Sequence, residues 1–276
     1  MKVLWIFLIF FVGVINAQPN QFLSRSELGP MGGGSYYIGD LNPDKHFIYS
    51  KPAFGMIYRY NLHSRAALRF TGTYVMLSAN DAYSDDPFMV NRNLSFDNNI
   101  FELAGGIEFN YYNYILNDPY NPISTYMFVE FAYFNMNPTT NFQGNEIELR
   151  PLGTEGQGTN LSEETFYSRN QFAIPFGLGV KFNLAKRFAM SFEYGLRLTF
   201  TDYIDDVSGH YVDNELLSGQ NGPMSAELSD RSLEPYRPSG TNTGIQRGNP
   251  NTRDWYSVFT AMITIQLGKK PICFYK

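Results

Sequence analysis

From Arg187 to Tyr203 the chain reads "RFAMSFEYGLRLTFTDY", and large apolar residues fall on every second position: Phe188, Met190, Phe192, Tyr194, Leu196, Leu198 and Phe200. Between them stand small or charged residues, among them Ser191, Glu193, Gly195 and Arg197. A period of two is that of a β-strand, whose side chains point to opposite faces in turn. The same alternation runs through "KPAFGMIYRYNL", "RAALRFTGTYVM", "NIFELAGGIEFNYY", "TYMFVEFAYF", "QFAIPFGLGVKFNL" and "DWYSVFTAMITIQL". A weaker, glycine-rich strand is predicted in "ELGPMGGGSYYIG", alternating at Tyr36 and Ile38.

About eight strands of roughly ten or more residues result, the length of a tilted membrane-crossing strand. Strands of soluble sandwiches are commonly shorter, about five or six residues. The sorting of the two faces points the same way. One face is rich in Phe and Tyr, the other is small or charged, as in a barrel that is dry outside and polar inside. Connection lengths also alternate. Asn61–Arg65, "NYILNDPYNPIS" and Asn183–Arg187 are short, whereas 40–50, 79–97, 138–170 and 202–253 are long. The expected fold is all-β: a transmembrane antiparallel up-and-down barrel of about eight strands, with short periplasmic turns and long extracellular loops. With an even strand number, both termini face the periplasm.

Composition narrows the class further. Aromatic residues make up 17% of the 276 residues, and the net charge is −5. Nucleic-acid binding would want a basic surface instead. The start, "MKVLWIFLIFFVGVINAQPN", carries Lys2, an apolar core from Val3 to Ile15 and small residues ending at Ala17. It reads as a secretory signal peptide over 1–17, its apolar run being shorter than the roughly 20 residues of a spanning helix. Residues 18–276 then form a single barrel domain. The one cysteine, Cys273, excludes a disulfide within the chain.

On the inward faces the acids are Glu27, Glu102, Glu108, Glu130 and Glu193, and the bases are Arg59, Arg69, Lys181 and Arg197. An eight-stranded barrel is just wide enough for its own side chains. Charges there must pair, because an isolated buried ion costs several kcal/mol. The near balance predicts a plug of ion pairs rather than an open pore. Glu193 and Arg197 are expected to pair with neighbours on adjacent strands.

Catalytic and ligand-binding patterns are weak. His63 falls in a turn, and His46 and His210 fall in different outer loops. No Ser-His-acid cluster or nucleophile-elbow pattern can be placed. "TDYIDDVSGHYVD" gathers Asp202, Asp205, Asp206 and Asp213, hard oxygen ligands of the kind Ca²⁺ takes, but its spacing is not that of an EF-hand loop. A polar loop base capping the barrel is the simpler reading. No phosphate loop or zinc pattern is present, and no cofactor is expected.

Four segments together resemble one family: "GGSYYIGDL", "YRYNLHSRAALR", "TDYIDDVSGHYVD" and "RGNPNTRDWYSV". They are similar, in the same order, to the PorG-like outer-membrane β-barrels of Bacteroidota, a component of the type IX secretion machinery. The resemblance implies a non-enzymatic protein among outer-membrane lipids, in contact with a periplasmic ring made of a lipoprotein and its partner protein. It carries no catalytic residues over. The contact would be made by the turns Asn61–Arg65, Tyr114–Ile123 and Asn183–Arg187 and by the tail Lys269–Lys276, with His63, Arg65, Lys186, Lys269, Lys270 and Cys273 as candidates. Two other classes stay open: a generic small barrel that stabilises the membrane, adheres through its loops or conducts narrowly, and an outer-membrane lipid-modifying enzyme.

Overall fold

The computed structural model describes residues 25–116, 118–233 and 238–267. The signal-peptide segment and the tail Lys269–Lys276, with Cys273, lie outside them. Eight long strands form the wall: β1 (Arg25–Ile38), β2 (Lys51–His63), β3 (Ala66–Asn80), β4 (Ser95–Asn110), β5 (Ile123–Asn135), β8 (Asn170–Ala185), β9 (Phe188–Thr199) and β10 (Trp255–Gln266). Wall strands consecutive in the chain pair antiparallel, and one further pairing, β1 with β10, closes the ring. β1 joins β10 with Glu27 opposite Gln266, and β3 joins β4 with Arg69 opposite Gly106. Closure leaves the barrel wall with no free edge to aggregate.

The faces sort as the alternation requires. Phe54, Phe70, Phe101, Met127, Leu178, Phe192 and Ile263 are exposed on the outside. Glu27, Arg59, Arg69, Glu102, Glu108, Glu130, Lys181, Glu193 and Arg197 are buried on the inside. An apolar exterior around a polar interior is the order of a membrane-spanning barrel. No described helix is long and apolar enough to cross a membrane.

The two ends differ. At one end, here the turn end, the connections are residues 64–65, 111–122 and 186–187. At the other, the loop end, they are 39–50, 81–94, 136–169 and 200–254. The long loops hold structure that strand periodicity does not reveal. A hairpin of β6 (Pro138–Phe142) and β7 (Asn145–Glu148) extends the wall through β4, with Asp97 opposite Thr139. Short helices α1 (Pro87–Arg92), α2 (Asn214–Asn221) and α3 (Pro223–Ser229) lie in the second and fourth loops. α1 opens with Asp86 accepting from the Phe88 amide and Pro87 at its first position, a regular N-cap.

The first loop folds back over the outer wall. Phe47, at φ 62°, lies against Tyr36, Phe259 and Tyr194 with ring centroids 5.0, 5.8 and 6.0 Å away.

The lumen is filled throughout, but not uniformly. The sequence predicts a plug of ion pairs, and only part of the lumen has one. Toward the turn end the side chains are charged. Toward the loop end they are apolar: Val75, Leu77, Phe96, Ile100, Phe134, Tyr256 and Val258 form one cluster. That cluster continues into Ile204, Val207 and Leu228, so the loops share a core with the barrel. Burying each such side chain contributes about 1.5–3 kcal/mol, which holds the loops down as a cap.

Candidate functional site

The charged half of the lumen is built around Arg69 on β3. Its Nη1 and Nη2 donate to Glu193 Oε2 at 2.8 Å and Oε1 at 3.1 Å, a bidentate pair. Its Nε lies 3.2 Å from Glu130, and Nη1 also stands 3.5 Å from Glu108. The guanidinium sits 4.0 Å from the centroid of the Phe128 ring. Phe128 in turn needs Gly177 and Gly195, where a Cβ would stand 2.8 Å from the ring. Arg59 donates to Glu108 Oε2 at 2.8 Å, and Lys181 donates to Glu108 Oε1. Tyr126 donates to Glu193 at 3.0 Å. One linked set thus joins Arg59, Arg69, Glu108, Glu130, Lys181 and Glu193.

Glu102 and Arg197 form a looser pair at 3.7 Å, and Tyr256 donates to Glu102 at 2.5 Å. Glu27 stands apart from the arginines' hydrogen bonds and accepts from Asn61 at 2.6 Å and Thr264 at 2.9 Å. The partners of Glu193 and Arg197 correct the expectation of adjacent-strand pairing. β9 neighbours β8 and β10, but Arg69 comes from β3 and Glu102 from β4, across the lumen. A narrow barrel brings opposite walls within reach of a long side chain, and the bidentate fork of arginine rewards that reach.

Both ends of the lumen are covered. At the turn end, Tyr114 and Leu116 fold inward and are 3% exposed, and the Lys181 ammonium lies 4.7 Å from the Tyr114 ring centroid. Asn183 fixes this turn by donating to the Ile115 carbonyl at 3.1 Å. Tyr114 is therefore withdrawn from the surface on which the sequence reading set it, whereas Tyr120 in the same turn is 90% exposed. His63, Arg65 and Lys186 are exposed at this end. Lys269, Lys270 and Cys273 lie outside the described residues.

At the loop end, two buried arginines tie the cap. Arg92 of α1 pairs with Asp81 at 2.7 Å and donates to the carbonyls of Asp40 and Arg247. Arg247 pairs with Glu155 at 2.8 Å and donates to the carbonyls of Asp206 and Ser229. All four loops meet through these two side chains. Asp206, held at φ 66°, accepts from Thr154 and Tyr167, both at 2.6 Å. The Tyr37 hydroxyl lies 2.6 Å from both Asp205 and Asp254.

Burial pushes the carboxyls of Asp205 and Asp254 well above the ordinary range, and nearby acids add to it, Asp254 and Asp40 at Asp205, Asp202 and Asp40 at Asp254. Asp206 is pushed up to about 6 and Asp202 up to about 7, again chiefly by burial. Of the acids gathered in "TDYIDDVSGHYVD", Asp205 and Asp206 point into the cap, and Asp213 caps α2 by accepting from the Leu216 amide at 2.9 Å. Among the described residues no group of three or more His, Cys, Asp or Glu is placed to hold a metal ion. The histidines do not meet. His46 is 3.1 Å from the Tyr36 hydroxyl on the outer wall, His63 ends β2 beside the first turn, and His210 pairs with Gln246 in the cap.

The cap was hidden from sequence reasoning in part. "TDYIDD" already read as a loop base over the barrel. The arginines that hold it, Arg92 and Arg247, carried no signal of period or spacing, being 155 residues apart along the chain.

In comparisons with known proteins, residues 2–228 match the family described as "Domain of unknown function (DUF6089)". Among curated proteins none matches the chain in sequence. Several solved barrels are similar in fold. Ail, the attachment invasion locus protein of Yersinia pestis, is 10% identical with a TM-score of 0.37 over 88% of this chain and 97% of that one. Neisserial surface protein A is 8% identical, with a TM-score of 0.40 over the same shares. OprG of Pseudomonas aeruginosa is 8% identical, with a TM-score of 0.35 over 89% of this chain and 95% of that one.

Proposed function

The chain belongs to the DUF6089 family, and from that premise we propose that it is a non-enzymatic outer-membrane barrel serving the type IX secretion machinery by contacting its periplasmic ring. In this reading the turn end faces the periplasm and the loop end the outside.

One observation carries the proposal. Three of the four segments that resemble PorG-like barrels converge on one place, the cap. "GGSYYIGDL" supplies Tyr37 and the Asp40 carbonyl, "TDYIDDVSGHYVD" supplies Asp205 and Asp206, and "RGNPNTRDWYSV" supplies Arg247 and Asp254. Segments scattered along the chain thus act as one structural unit, which supports a shared architecture rather than a chance likeness of short strings. The filled lumen supports a structural role over transport. The exposed His63, Arg65 and Lys186 at the turn end offer the ring its contact.

The test is genetic and biochemical. Deleting the gene should block export of proteins that bear the secretion system's C-terminal signal, and pull-down from solubilised envelopes should recover the ring proteins. Normal export after deletion would leave a generic structural or adhesive barrel as the reading.

A further inference from the structure

On the outer wall, at the turn-end half of β4, β5, β8 and β9, lies a trough of about 560 Å³. Its floor is Thr125, Met127, Leu178 and Val180, set by the registers Met127 opposite Leu178 and Thr125 opposite Val180. Aromatic side chains bound it on both sides: Phe109 and Tyr111 from β4, Phe192 and Tyr194 from β9. Its lining is almost wholly apolar, so water is a poor occupant.

The turn-end mouth of the trough is flanked by cations. Arg65 lies over the Phe109 ring, 5.2 Å from its centroid, and donates to the Tyr111 carbonyl at 3.0 Å. Its stem covers the aromatic wall while its charge stays at the rim, the arrangement of a side chain that snorkels to an interface. Lys186, in the turn between β8 and β9, is exposed beyond the opposite wall. An apolar trough with an exposed cation in the turn on either side suits a lipid: an acyl chain in the trough, an anionic headgroup toward the turns.

We propose that this trough is a specific seat for one anionic glycerophospholipid of the leaflet at the turn end, its phosphate held between Arg65 and Lys186. The proposal rests on the barrel's placement in a membrane; it draws on Arg65 and Lys186, which the secretion reading offers to the ring, and its test uses the purified barrel without ring proteins, so that the two readings fail separately. Arg65 then has two tasks, since it also pins the β3–β4 end by its bond to Tyr111.

Native mass spectrometry of the barrel released from nanodiscs tests the seat, with equal parts phosphatidylglycerol and phosphatidylcholine as the lipid. The wild type should retain one phosphatidylglycerol in several-fold excess over phosphatidylcholine. Val180→Phe, which fills the trough from its half-buried floor, should cut retention several-fold. Lys186→Gln should keep a lipid but lose the preference for phosphatidylglycerol. Heat-modifiability on gels verifies that each variant is a folded barrel, and Thr125→Phe serves as a second filling variant should Val180→Phe not fold. Equal retention of both lipids by the wild type, or unchanged retention in a folded filling variant, would overturn the proposal. So would cross-linking of a protein, rather than lipid, to a photoreactive residue at position 178.

Discussion

Asp205 and Asp254 share a single hydroxyl, that of Tyr37, at 2.6 Å from each. A tyrosine has one proton to donate. The second short contact therefore needs a proton on one of the two carboxyls, and both residues are buried, 1% and 0% exposed. Their remaining oxygens accept the amides of Val207 and Ile204. The cap is closed around a carboxylic acid, not around two carboxylates.

This gives the cap a pH dependence of definite sign. Asp202, Asp205, Asp206 and Asp254 all have folded values raised above those of the unfolded chain. Raised acids stabilise fully below the unfolded value and lose that contribution as pH rises through the folded one. With ordinary values of 3.8 raised to about 6 for Asp206 and about 7 for Asp202, protection should fall from about pH 4 to about 7, and further above as Asp205 and Asp254 ionise. Hydrogen exchange across residues 200–254 measures it. Asp254→Asn supplies a neutral donor in place of the shared proton and should flatten the alkaline part of the profile. An unchanged profile in that variant would refute the shared proton.

Arg69 and Glu193 offer a comparison of two lesions. Glu193→Leu leaves Arg69 with Glu130 and Glu108, whereas Arg69→Met strands two carboxylates, Glu130 and Glu193, while Glu108 keeps Arg59 and Lys181. Breaking a buried pair costs about 3–5 kcal/mol. Urea titration of the barrel in micelles should place Glu193→Leu near the lower end and Arg69→Met at or beyond the upper end. The reverse order would mean that Arg69 is not the hub.

Arg247 separates cap from wall. Arg247→Met removes the Glu155 pair and two carbonyl contacts, all within the loops. Limited proteolysis should cut within 200–254 in this variant at protease levels the wild type resists. Heat-modifiability of the barrel should be retained. Loss of the folded barrel would show that the cap is needed for the wall to stand.

The filled lumen predicts silence in planar bilayers. Arg59 and Arg69 are each 1% exposed, which a water-filled channel would not allow. Steady single-channel steps from the purified protein would contradict that. Tyr114→Gly should remain silent too, because the Arg69 set still crosses the lumen behind it.

Strand parity made much of this legible. Once Glu193 is inward, Arg197 follows by count, and likewise Glu102 with Glu108. Which charge meets which was not legible, because partners such as Arg69 and Glu193 are 124 residues apart and meet through the stagger of the closed barrel. The inward turn of Tyr114 escaped for another reason: the alternation has ended by then, and nothing marks one tyrosine of "NYYNYILNDPY" as buried and Tyr120 as exposed. The apolar half of the cap escaped because Ile204, Val207 and Leu228 sit in loops with no period to reveal a core.

Phe47 and its loop fix the depth at which the molecule sits. An irregular backbone cannot lie against hydrocarbon, since its amides would go unpaired there. The loop rests on the outer wall at Tyr36, Tyr194 and Phe259. The hydrocarbon boundary must therefore run below these rings. Gly34, opposite Phe259, is four residues short of the end of β1 at Ile38, and at about 3.3 Å per residue roughly 13 Å of strand, measured along its tilted axis, stands clear of the hydrocarbon. The barrel is a pedestal as well as an anchor, lifting its sealed top above the acyl chains.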